Sequence, residues 1–167
     1  MQPSNTAQPG DWFETWAAPL ALYARQWLTT EEAEDVVQEA FIRLISTTRP
    51  PANTKGWLFR TVRNAAISRI RSSRRRRERE QRKAAERGSW FEAHPEDLLD
   101  AATAQAALAA LPLDQREVIV LRLWAEMTLQ EAADITGQPV STLFCRYRAG
   151  IATLRARLEA PCKTSKS

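Results

Sequence analysis

Two stretches of the chain concentrate side chains able to grip a polyanion. One carries Arg60, Arg63, Asn64 and Arg69; the other carries Ser141, Thr142, Cys145, Arg146 and Arg148. A guanidinium forks onto phosphate oxygens or a guanine edge, and the asparagine amide matches the edge of adenine. Hydroxyl groups add contacts to phosphate oxygens, which set the register of a protein on DNA. A third set, Glu34, Asp35, Gln38 and Glu39, has the opposite charge and taken alone is a solvated helix face. Residues for catalysis are scarce. His94 is the single histidine, and Cys145 and Cys162 are the two cysteines. They make neither a disulfide framework nor a zinc set, and no nucleophile–base pair or phosphate-cradling glycine loop accompanies them. The expectation is a non-enzymatic protein with no metal and no cofactor.

Such residues act together only if an element holds them on one face. From Thr128 to Leu158 the chain reads as a short helix, a tight turn and a longer basic helix. Thr128 followed by Glu131 is a capping box, and Gly137 can take the positive φ that a sharp turn needs. Pro139 suits a first helical turn. Val140, Leu143, Tyr147, Ile151, Leu154 and Leu158 then form one apolar stripe. Thr142, Cys145, Arg146 and Ala149 lie opposite, flanked by Ser141 and Arg148. This is the pattern of a DNA-reading helix-turn-helix.

The first half of the chain predicts three helices. Asp11 caps an aromatic-rich one carrying Trp12, Phe13, Trp16, Leu20, Tyr23, Ala24 and Trp27, with Pro19 expected to kink or divide it. Thr30 opens a second, with Val36, Val37, Ala40, Phe41, Leu44 and Ile45 inward and the acidic set outward. A proline-stiffened loop over 46–54 leads to a third, with Trp57, Leu58, Val62, Ala65, Ala66 and Ile70 inward. Arg60, Arg63, Asn64, Arg69 and Arg71 point largely outward. Arg74 to Gly88 is almost all charge, and acids around Pro95 follow. Beyond them come an alanine-rich helix ended by Pro112 and an apolar helix opened by a capping box of Asp114 and Glu117.

The 167 residues carry a net charge of +4, but arginines crowd 60–87 and 146–157 while acids collect at 31–39 and 92–100. Segregation of this kind suggests one surface for nucleic acid and another for a different partner. Five glycines, nine prolines and few β-branched runs favour helices. Residues 1–10 read as a disordered lead-in without the apolar core of a signal peptide, and the last residues as a frayed tail. No stretch reaches membrane-spanning length, so a cytoplasmic protein without membrane insertion is expected.

Three blocks now carry a family resemblance: AEDVVQEAFIRL, WLFRTVRNAAISRIRSSRRRR and LPLDQREVIVLRLWAEMTLQEAADITGQPVSTL. In this order they resemble bacterial RNA polymerase sigma factors, and the short chain resembles the extracytoplasmic-function (ECF) group. The resemblance implies an all-α fold of two small helical domains joined by a basic, then acidic linker. Residues 11–76 would be a sigma domain 2-like unit, 77–96 the linker, and 97–159 a sigma domain 4-like helix-turn-helix. It implies that Glu34, Asp35, Gln38 and Glu39 dock on the β′ clamp helices of core polymerase, with the β subunit a further partner. It also implies that Arg60, Arg63, Asn64 and Arg69 contact the −10 element, aided by the loop over 47–54. Ser141, Thr142, Cys145, Arg146 and Arg148 would contact the −35 element. Many relatives are held by an anti-sigma factor. In many of them the position of Phe144 is Lys or Arg, that of Cys145 is Ser, and that of Ala149 is basic. The competing expectation is a stand-alone helix-turn-helix regulator that binds a palindromic site without polymerase.

Overall fold

The computed structural model describes residues 9–49, 51–79 and 98–159. Among them are seven helices and no strand. These are α1 (Pro9–Ala24), α2 (Thr30–Ser46), α3 (Thr54–Arg79), α4 (Leu98–Ala109), α5 (Leu113–Leu123), α6 (Leu129–Thr136) and α7 (Val140–Glu159). They form two compact units, one built on α1–α3 and the other on α4, α5 and α7, with α6 joined to α7 by a tight turn. Residues 1–8, 80–97 and 160–167 lie outside the described residues, and with them most of the expected lead-in over 1–10, most of the expected linker over 77–96 and the tail.

In the first unit α1, α2 and α3 pack against one another pairwise. Leu20, Tyr23 and Ala24 of α1 are fully buried, and the Tyr23 ring meets Trp27 at 5.1 Å and Phe59 at 5.3 Å. Helix α1 begins at Pro9, so Asp11 sits in its first turn rather than capping it, and the helix runs on through Pro19. Thr29 caps α2: its hydroxyl accepts from the Glu32 N–H at 3.3 Å, and Glu32 accepts from the Thr29 N–H at 3.1 Å. This reciprocal pair satisfies two backbone donors at the helix start. Asn53 opens α3, accepting from the Gly56 N–H at 2.8 Å.

The buried arcs differ from expectation at three places. Ile45 is 64% exposed, as is Ile42 at 62%, because the arc covered by α1 and α3 ends at Leu44. One residue turns a helix by about 100°, which carries Ile45 out of that arc. Phe59, absent from the expected stripe, is fully buried, whereas Ile70 is 37% exposed. Phe59 is held by Tyr23, an aromatic contact between two helices that periodicity on α3 alone does not reveal. Phe59→Ala should therefore cost about 3–5 kcal/mol and lower the thermal midpoint of the first unit, measured by circular dichroism.

In the second unit α5 is buried on most sides, with Val118, Ile119, Val120 and Leu121 all at 1% exposure or less. Helix α7 crosses it closely at Gly150, where an added Cβ would lie 2.6 Å from Ile119 Cδ1. The capping box expected of Asp114 and Glu117 does not form. Pro112 occupies the cap position with no side-chain bond, so Asp114 is already inside the first turn and Glu117 is buried. The dipole at a helix N-terminus still favours Asp114 there. The α7 stripe is buried at Leu143, half-buried at Tyr147, Ile151 and Leu154, and open at its ends, Val140 and Leu158.

Candidate nucleic-acid interface

The turn that orients α7 is built by local chemistry. The Thr128 hydroxyl accepts from the Glu131 N–H at 3.2 Å, and Glu131 accepts from the Thr128 N–H at 2.7 Å. Helix α6 buries Ala132, Ala133 and Ile135. Gly137 ends it at φ 70°, donating its N–H to the Ala133 carbonyl at 2.9 Å. That left-handed backbone is one an L side chain rarely adopts. Helix α7 starts three residues later, and the Pro139 carbonyl accepts from the Leu143 N–H at 3.1 Å.

On the first half of α7, Ser141, Phe144, Cys145, Arg148 and Ala149 are exposed at helical spacing along one face. At 1.5 Å of rise per residue, Ser141 to Arg148 spans about 10 Å, close to the width of a major groove. Thr142 and Arg146 border that face and are half-buried. Arg146 Nε lies 3.1 Å from Asp114 Oδ2, so α5 holds this guanidinium at the edge of the face. The Arg148 guanidinium carbon sits 5.7 Å from the Phe144 ring centroid. Phe144 is 47% exposed, which places it on the polar front rather than in the apolar stripe. The Cys145 thiol is free and exposed.

On α3 the candidate residues separate into two groups. Arg60 and Asn64 are exposed and lie on one ridge that continues through Ser68 and Arg71, at spacings of four, four and three. Arg71 thus extends the row of Arg60 and Asn64, and its i+7 spacing from Asn64 is the signal that finds it. Arg63 is half-buried and engaged within the protein. Arg69 lies off the ridge and reaches α2, where Nη2 is 2.7 Å from Glu39 Oε1 and Nη1 is 3.6 Å from Asp35 Oδ2. Sequence reasoning placed Arg69 with the DNA-facing cations; the fold places it on the acidic helix.

The α2 face carries Glu34, Asp35, Gln38 and Glu39, all exposed. Ile42 and Ile45 extend the row from Gln38 and Glu39 by steps of three and four. Acids thus lie beside two open isoleucines on one side of α2. Among the described residues no group of acids, histidines and cysteines is placed to hold a metal ion. No helix there is long and apolar enough to cross a membrane.

Residues 12–76 match the family model described as Sigma-70 region 2, and residues 102–154 match Sigma-70, region 4. The chain is 33% identical over 136 residues to the ECF RNA polymerase sigma factor EcfG of Rhodopseudomonas palustris (strain TIE-1), covering 77% of this chain and 72% of that protein. It is 33% identical over 141 residues to the ECF RNA polymerase sigma factor SigW of Bacillus subtilis (strain 168), covering 76% and 75%. Its fold is similar to the sigma factor RpoE crystallised with the anti-sigma factor NepR from Bartonella quintana. The TM-score is 0.76 at 24% identity, over 91% of this chain and 97% of that one.

Proposed function

We infer the mechanism from one premise: the chain belongs to the ECF group of RNA polymerase sigma factors. It binds core RNA polymerase and directs transcription initiation at promoters, using its sigma regions 2 and 4 in turn. The observation that carries this is the presence of both regions in family order on one chain. A stand-alone helix-turn-helix regulator would have no use for the first of them and is not favoured.

The division of labour among residues is our proposal. Residues 11–76 form the polymerase- and −10-binding unit, 77–96 the linker, and 97–159 the −35-binding unit. Glu34, Asp35, Gln38 and Glu39, with Ile42 and Ile45, dock on the basic coiled coil of the β′ clamp helices, where opposite charge speeds encounter and sets register. Contacts with the β subunit complete the holoenzyme. The ridge of Arg60, Asn64 and Arg71, with Arg63 beside it, meets the −10 element, whose opened strand a cationic groove can track. The face of α7 enters the −35 major groove, with Ser141, Thr142, Arg146 and Arg148 against phosphates and base edges and Cys145 at the centre. Two weak DNA contacts on one chain act together by raising each other's effective concentration.

Sigma factors are transcription factors rather than enzymes, and we propose that this chain has no catalysis of its own and works in the cytoplasm beside polymerase. An anti-sigma factor is a further proposed partner, supported by the NepR complex of the structurally similar RpoE. The test is reconstituted transcription: purified chain plus core polymerase on a genomic promoter library, with start sites sequenced. Start sites that depend on the chain and share paired upstream elements are expected. Duplex binding without initiation at any promoter would overturn the reading.

A further inference from the structure

The exposed face of α7 carries a large side chain with no means of holding a phosphate. Phe144 is 47% exposed while its chain neighbour Leu143 is 1% exposed, so the ring stands off the packed stripe. Helix α7 begins at Val140, which puts Phe144 early in the helix, and a recognition helix touches base edges with its N-terminal residues. Arg148 follows by four residues on the same face, with its guanidinium carbon 5.7 Å from the ring centroid. Long helical side chains lean back towards the N-terminus, which brings Arg148 over the turn that holds Phe144. A carbon surface and a fork of hydrogen-bond donors therefore stand side by side.

We propose that Phe144 is a specificity-determining residue whose ring reads the C5-methyl group of a thymine in the −35 duplex. The proposal rests on reading α7 as the −35 helix. In the major groove thymine alone offers an apolar group, and the other three bases present donors and acceptors there. A phenyl ring pressed against those edges strips them of water and returns no hydrogen bond. The ring thus favours thymine twice, by burying a methyl and by penalising its competitors. Arg148 supplies the charge that the ring lacks. A guanidinium is attracted to an aromatic face, so Phe144 also restricts where Arg148 points before DNA arrives. Cys145 is turned about 100° from Phe144 around the helix, so its thiol addresses a different part of the groove.

The test uses the full chain assembled with core polymerase on a promoter drawn from the mapped start sites. Each thymine of the −35 duplex, on either strand, is replaced singly by deoxyuridine, which lacks the methyl and keeps the base pairing. With the wild-type chain one such replacement is expected to weaken holoenzyme binding about threefold, the worth of one buried methyl. In Phe144→Ala the difference between thymine and uracil at that position should vanish, and binding to the thymine promoter should fall to the uracil level or below. Phe144→Leu keeps an aliphatic surface and should retain part of the discrimination, which keeps the test informative if the alanine variant fails to fold. Phe144→Lys should show no preference between the two bases and a salt slope steeper by about one, as a phosphate contact replaces a methyl contact. A promoter whose thymines all tolerate uracil overturns the proposal, as does a methyl effect that survives in Phe144→Ala. If wild-type binding depends on no base of the upstream duplex, the −35 reading itself fails; base dependence without a methyl effect defeats the role of Phe144 alone.

Discussion

Reversing Asp35 and Glu39 to Lys is expected to remove promoter-directed transcription by disabling the polymerase dock while leaving the fold intact. Both carboxylates are more than half exposed and point from one face of α2. Their internal partner is Arg69, and a surface ion pair contributes only about 0–1 kcal/mol to folding. Facing a basic coiled coil, the same reversal replaces attraction with repulsion. Losing one member of a desolvated interfacial charge pair costs about 2–5 kcal/mol. The double reversal should therefore weaken core-polymerase binding by at least about thirtyfold. The check is a titration of labelled chain against core polymerase, with circular dichroism to establish that α1–α3 still melt cooperatively. Unchanged capture of core polymerase would remove this face from the functional surface.

Arg146→Ala should give the second largest effect, a loss of about 1–3 kcal/mol in binding to −35 DNA. Arg146 is half-buried at the edge of the α7 face, and the 3.1 Å contact with Asp114 fixes where its guanidinium can point. A side chain already ordered loses less freedom when it meets DNA. Asp114→Asn should therefore produce a smaller loss in the same direction, because Arg146 keeps its charge but not its hold. Holoenzyme affinity on promoters with substituted −35 positions separates the two contact types. If Arg146 reads a base, its removal should relax preference at one position. If it holds a phosphate, all sequences should weaken alike and the salt slope should fall by about one. No change in promoter-directed transcription would take Arg146 off the interface.

Local signals were enough to draw much of this molecule. Thr128 with Glu131, and Gly137 two residues after Ile135, mark the start and end of α6 without help from any other element. The reason is short range: a cap or a left-handed turn is decided by atoms within four residues, so residue type and spacing reveal it. The acidic row on α2 and the Arg60–Asn64 row on α3 were legible for the same reason, since one helical period places them. Where α2 and α3 meet their neighbours, the reading weakened. Ile45 and Phe59 lie at the two margins of apolar arcs, and only the helix packed alongside decides which margin is covered.

The same limit governs the cations. A guanidinium sits at the end of a long side chain, and its partner is whatever another helix brings within reach. The sequence by itself determined that this chain is helical, that its second half holds a helix-turn-helix, and that arginines face outward on α3 and α7. Only the tertiary structure decided that Arg69 and Arg146 are each held by a carboxylate of another helix. Asp114, expected to cap α5, holds Arg146, and the acidic row that looked like simple surface holds Arg69. Periodicity along one helix cannot show either pairing, because each joins residues on different helices, thirty or more positions apart.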